Sequence, residues 1–265
     1  MYRIVSLASV LIVSACAFDT GGGRIDSLAG TRLAPPPIDY VALVGHPDRP
    51  ADDFAEDAAR KPAEVLEFTG VGYGMTVIDM EAGGGYYTEL FSRAVGDTGK
   101  VYLQNPKAFD AVLGDAVPMR LAEDRLSNVE TMTTPMDTLL VEDASVDIVA
   151  WFLGPHELWF TPDGAEQGVL GSPDKAFAEI VRALKPGGVF VALDHAAAAG
   201  SPASTGGTTH RIDPAIIIAR SEDAGLTLVD SSDILANADD DYSVMVLDPS
   251  VRRKTDRFLL KFEKK

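Results

Sequence analysis

Cysteine is almost absent: Cys16 is the single one in 265 residues, so no disulfide can form within the chain. Basic charge is also scarce. Lys and Arg number 23 against 40 Asp and Glu, a formal net charge of −17. Such a surface repels DNA and RNA, whose binding relies on Lys and Arg neutralising phosphates. The triplet Arg252-Arg253-Lys254 is a local exception and reads as a solvated turn. The apolar stretch Ile4 to Val13 falls well short of the ~20 residues that span a bilayer, and no internal repeat is visible.

What is present begins with a short basic start, Met1-Tyr2-Arg3, ahead of that apolar stretch, the pattern of a secretory signal. Val13-Ser14-Ala15-Cys16 follows and resembles the bacterial lipobox, in which the cysteine becomes the lipidated first residue of the mature chain. Ordinary cleavage after Ala15-Cys16-Ala17 is the alternative. Residues 17–37 carry Gly21-Gly22-Gly23 and Pro35-Pro36-Pro37 without apolar periodicity, the composition of a tether. The expectation is a signal peptide with a lipobox over 1–16, a linker over 17–37 and a domain over 38–265. It places the protein as exported, on the periplasmic side, anchored through Cys16. A hydrophobic content of 46% over the whole chain suits one soluble core in that domain.

Strands and helices alternate along it. Asp52 to Phe68 predicts two helical pieces meeting at Lys61-Pro62, because proline favours a helix start and disfavours helix in the residue before it. Strands are predicted at Thr76–Met80, Lys100–Gln104, Val129–Thr133, Val146–Phe152, Val189–Leu193, Leu226–Val229 and Arg257–Phe262. The fourth is a nearly continuous apolar run, as in a strand covered on both faces. Helices are predicted at Tyr86–Val95, at Lys107–Ala122 with an interruption near Pro118, at Pro173–Leu184, and from Pro214 to about Ala224 with Asp213 as N-cap. This order argues for an α/β fold with a doubly wound, mostly parallel seven-stranded sheet. Ligands then bind at the carboxyl ends of its strands.

The junction from Val77 to Leu90 runs an apolar strand into Gly83-Gly84-Gly85 and then into a helix. Glycines let the backbone approach a ligand, and the free N–H groups of the following helix offer donors to a carboxylate or phosphate. Asn105 follows at the end of the next strand, ~20 residues on, the spacing of a ribose-contacting side chain in nucleotide-binding folds.

At these residues the chain resembles the class I methyltransferases that use S-adenosylmethionine. The glycine segment Val77 to Tyr86 matches their glycine motif, Asp143 to Val149 their entry into strand four, and Arg182 to Gly188 their turn before strand five. The match covers roughly residues 60 to 195, and a longer pattern resembles a branch of uncharacterised predicted methyltransferases, some carrying export signals. The resemblance implies a Rossmann-like methyltransferase fold and a cofactor site in which Asp79 and the Gly83–Gly85 turn hold the methionyl end. Asn105 faces the ribose, Met136 and Asp137 flank the adenine, and Leu153 to His156 lie near the reactive methyl. Two positions depart from the family pattern. Glu81 replaces its first glycine, bringing a side chain and a negative charge into a crowded loop unless it turns to bind the cofactor's ammonium. Asn105 replaces an acidic residue and offers one acceptor and an NH2 donor instead.

Three of four histidines, His156, His195 and His210, fall in loops at or after strands four and five, with Glu157 and Asp194 adjacent. They are candidate general bases, His156 and His195 first, ligands for a borderline metal, or simply partners of loop backbone. Their spacing fits no compact metal motif, so no metal ligands are assigned. Trp159 and Phe160 read as packing residues or pocket walls. Methyl transfer asks mainly for alignment, so the expected activity is transfer from S-adenosylmethionine to a small molecule. A lipid-anchored, non-catalytic binding protein on the same fold is the alternative. A nicotinamide oxidoreductase fits less well, because Thr88 stands where its third glycine belongs.

Overall fold

The computed structural model describes residues 37–265, and the signal, Cys16 and nearly all of the linker lie outside them. Among the described residues no helix is long and apolar enough to cross a membrane. The elements are α1 (Tyr40–Val44), α2 (Ala51–Arg60), α3 (Pro62–Thr69), β1 (Thr76–Met80), α4 (Tyr86–Val95), β2 (Lys100–Asn105), α5 (Asp110–Leu113), α6 (Ala116–Arg120), β3 (Val129–Thr133) and β4 (Val146–Phe152). They continue with α7 (Pro173–Ala183), β5 (Leu184–His195), α8 (Gly206–Thr209), α9 (Pro214–Asp223), β6 (Leu226–Ser232) and β7 (Arg257–Lys264). A 3-10 turn at Pro155–Trp159 follows β4.

One seven-stranded sheet has the order β3-β2-β1-β4-β5-β7-β6. Strands β1 to β5 run parallel, while β7 is antiparallel to both β5 and β6. Successive strand residues face opposite sides, and the core divides accordingly. Ile78, Val149, Trp151 and Phe190 pack on one face, and Val77, Ile148, Ala150 and Val191 on the other. Strand β4, expected to be covered twice, is buried at six of its seven positions.

Local signals set most boundaries. Asp213 caps α9 by accepting from the Ala215 N–H, and Pro214 occupies its first position. Two expectations shift. The break in Lys107–Ala122 falls at Gly114, in the left-handed half of backbone space (φ 50°), rather than at Pro118. Pro118 sits in the first turn of α6, where a missing N–H costs no helical bond. Strand β5 begins at Leu184, paired with Val146, and its Lys185–Gly188 turn forms an irregularity before the register resumes at Ile148 and Val189.

Candidate active site

The parallel strands end together. Register pairs Asp79 with Leu103 and Met80 with Trp151, which puts the β1 terminus between the ends of β2 and β4. The glycine turn leaves β1 here. Gly83 and Gly85 have φ of 58° and 82°, conformations that cost little only without a Cβ. A Cβ on Gly85 would lie 3.2 Å from Leu103 Cδ1 and 3.3 Å from Arg120 Cγ. Helix α6 packs over this turn, and Arg120 donates from Nε to the Gly84 carbonyl at 2.9 Å. The same guanidinium is fixed by Asp53 and by the fully buried Glu89 side chain, at 2.6 and 2.8 Å. Glu89 also meets Arg93 and Arg125. Burial opposes its charge, but the three guanidiniums hold the carboxyl down at about 2. Nothing in the local sequence marks Arg120; only folding brings it 36 residues back to the turn.

Two clefts flank the glycine turn. One, of about 430 Å³, is bordered by Asp53, Arg60, Asp79, Gly83, Tyr86 and Leu153. The other, of about 460 Å³, lies between the ends of β2 and β3 and is bordered by Leu103, Asn105, Val117, Thr131 and Thr133. Asp79 is 2% exposed and accepts from Thr88 Oγ1 at 2.6 Å. Burial raises its carboxyl to about 7 against the pull of that hydrogen bond. Among the described residues it forms no ion pair, so the first cleft presents a buried carboxylate that lacks a cation.

Three sequence expectations change. Asn105 is spent on the loop: Oδ1 accepts from the Gly83 N–H and Nδ2 donates to the Gly83 carbonyl, both at 2.9 Å. It braces the turn with one acceptor and one donor, which leaves a second lone pair and a second N–H on an amide that borders the β2–β3 cleft. Met136 is fully buried in the core, with its side chain outside the lining of both clefts. Asp137 accepts from the Ser172 N–H at 3.0 Å and borders a separate cleft beside Trp159 and Phe160, so neither residue borders the two clefts at the glycine turn. Glu81 turns away from the glycines. Its Oε2 accepts from Trp151 Nε1 at 2.9 Å, its N–H donates to Gln104 Oε1, and Gly154 leaves room for the carboxyl. Burial, then the nearby Glu157 carboxylate, pushes the Glu81 carboxyl well above the usual range, which disfavours a negative charge there.

The histidines converge at the ends of β4 and β5. Asp194, fully buried, accepts from the His156 N–H at 2.7 Å and meets His156 Nδ1 at 2.8 Å. His156 Nε2 faces His210 Nδ1 at 3.2 Å and Glu157 Oε1 at 3.3 Å. Burial works against an imidazolium here, but Asp194 and Glu157 outweigh it and lift the ring to about 10. His156 by itself is therefore protonated near neutral pH and unable to accept a proton. His195 differs. Burial, then the positive charges of His156 and Arg257, pushes it well below its ordinary value, and Nδ1 sits 2.7 Å from Thr255 Oγ1. It stays neutral, as a general base must. Trp159 and Phe160 are half-buried, pack against the edge of the core and also wall a cleft. Glu81, Leu153 and His210 all have positive φ, 50°, 60° and 53°, and such strain gathers where surrounding structure enforces it.

Comparison with known proteins agrees with this geometry. Residues 78–192 match the family model described as a methyltransferase domain. The chain is 30% identical over 135 residues to the ubiquinone/menaquinone biosynthesis C-methyltransferase UbiE of Hydrogenovibrio crunogenus, covering 49% of this chain and 45% of that protein. The Escherichia coli protein of the same name is 29% identical over 129 residues, covering 49% and 46%. The chain thus spans under half the length of the curated relatives it matches. A solved structure of a SAM-dependent methyltransferase from Aquifex aeolicus superimposes with a TM-score of 0.57 at 20% identity, covering 85% of this chain and 98% of that one. At that identity the likeness establishes the fold.

Proposed function

We propose that this class I methyltransferase domain takes S-adenosylmethionine as its cofactor and transfers a methyl group to a small molecule. The observation that carries the reading is the glycine turn between two clefts, with the unpaired Asp79 carboxylate facing one of them. Such a cofactor supplies an already activated methyl group, and the protein has only to align it. Asp79 and the backbone of the Gly83–Gly85 turn would hold the amino-acid end, with Arg60 nearby for its carboxylate. The β2–β3 cleft, lined by Val117 and Thr133, would take the flat base. His195, neutral and beside the end of β5, would accept the proton of a hydroxyl or thiol acceptor. The limited match to UbiE supports a small acceptor. Export and a lipid anchor at Cys16 belong to the same proposal and are supported by the sequence pattern.

Calorimetric titration of the purified protein with S-adenosylmethionine and its demethylated product tests this reading. Saturable binding of one molecule per chain, lost in Gly85→Asp, is expected, with circular dichroism confirming that the variant folds. No heat and no thermal shift at saturating cofactor would refute it. That outcome would leave the non-catalytic binding protein, a reading favoured by Asn105, which braces Gly83 where the family pattern has an acidic residue.

A further inference from the structure

The sequence spacing of His156, Glu157 and His210 resembles no compact ligand motif, yet the fold closes the gap. The segment carrying α8 lies directly on the 3-10 turn after β4. A Cβ on Gly206 would stand 2.3 Å from the His156 carbonyl oxygen, and one on Gly207 2.5 Å from that of Trp159. Two adjacent glycines are thus required for the approach. Three residues after Gly207 the chain turns left-handed at His210 (φ 53°), an uncommon conformation for a side-chain-bearing residue, and this delivers His210 to His156.

Three ligand-type atoms then form a nearly equilateral triangle. His156 Nε2 to His210 Nδ1 is 3.2 Å, His156 Nε2 to Glu157 Oε1 is 3.3 Å, and His210 Nδ1 to Glu157 Oε1 is 3.1 Å. Tetrahedral ligands at ~2.0–2.1 Å from a zinc-sized ion stand about 3.3 Å from one another. Two imidazole nitrogens and one carboxylate are a donor set suited to borderline first-row divalent cations. The opposite nitrogen of His156 is bound by Asp194 at 2.8 Å, the carboxylate–histidine arrangement that orients metal-binding imidazoles. The other oxygen of that carboxylate, Glu157 Oε2, is buried and has no hydrogen-bond partner among the described residues, so the group keeps an unused acceptor beside the triangle.

We propose that His156, Glu157 and His210 form a three-ligand site for a borderline divalent cation of the zinc or cobalt type. Binding releases the His156 Nε2 proton to solvent, and three protein ligands leave the fourth position to water or an acceptor atom, as in catalytic rather than structural sites. The inference goes beyond methyl transfer and stands or falls separately from it, since cation binding needs no cofactor.

Titration of the metal-stripped protein with Co2+, followed by visible absorption and by competition with Zn2+, tests it. One equivalent per chain is expected, with the spectrum of a low-symmetry tetrahedral site. Glu157→Gln and His210→Asn should each weaken binding at least tenfold, Asn being chosen because it tolerates the left-handed conformation. Asp194→Asn should weaken it ~10–100-fold through orientation alone, and His46→Ala, at the half-buried fourth histidine outside this cluster, should leave it unchanged. Thermal melts establish that the variants fold. Less than a tenth of an equivalent bound by the folded protein, or affinity indifferent to both ligand substitutions, would overturn the site and leave a hydrogen-bonded cluster.

Discussion

Asn105 holds Gly83 by both backbone groups, so Asn105→Asp reverses one of two hydrogen bonds while keeping size and shape. One carboxylate oxygen still accepts from the Gly83 N–H, but the other faces the Gly83 carbonyl at the 2.9 Å now spanned by the amide donor. Leaving that carbonyl without its donor costs about 1–3 kcal/mol. Asn105 is only 6% exposed, so little water screens the added charge. A loss of about 2 kcal/mol in urea unfolding is expected, a fall in Tm of very roughly 4–8 °C for a chain of this size. The same peptide forms the proposed cofactor turn, so affinity for S-adenosylmethionine should fall at least tenfold, about 1.4 kcal/mol. An Asn105 free to grip the ribose gives the opposite sign, because Asp accepts from both hydroxyls. Tighter cofactor binding with an unchanged unfolding midpoint would refute the bracing role.

The Asp79 carboxyl, lifted to about 7 by burial, should make cofactor affinity rise as pH increases through that value, since only the ionised form attracts an ammonium; Asp79→Asn should flatten the profile. The unliganded fold shows the reverse trend. A raised acid stabilises the folded state below its unfolded value of 3.8 and loses that contribution as pH rises through about 7, so urea midpoints that climb with pH only in wild type would contradict the account. Cys16→Ala should move the protein from the membrane fraction to the soluble one in the expressing cell, and unaltered partition would exclude lipidation as the anchor.

Much of the scaffold was legible in the chain because short-range physics decides it. The apolar run Thr76–Met80, the start of α4 after three glycines, and the Asp213-Pro214 cap each reflect contacts within a few residues. The mostly parallel seven-stranded sheet followed from their alternation. The site was legible in part. Asp79 and the glycine turn border a cleft, since they sit on the strand end that the pattern locates.

What the sequence by itself determined, then, is the order of elements, the strand end that carries the ligand turn, and the acidic surface. Tertiary structure alone decided which side chains are free to act. It turned Glu81 onto Trp151, committed Asn105 to Gly83, sank Met136 into the core, drew Arg120 over the turn and set His210 against His156. Each depends on partners many residues apart, and the placements of Glu81, Arg120 and His210 also on glycines whose missing Cβ permits the approach. Local periodicity and capping carry no record of either.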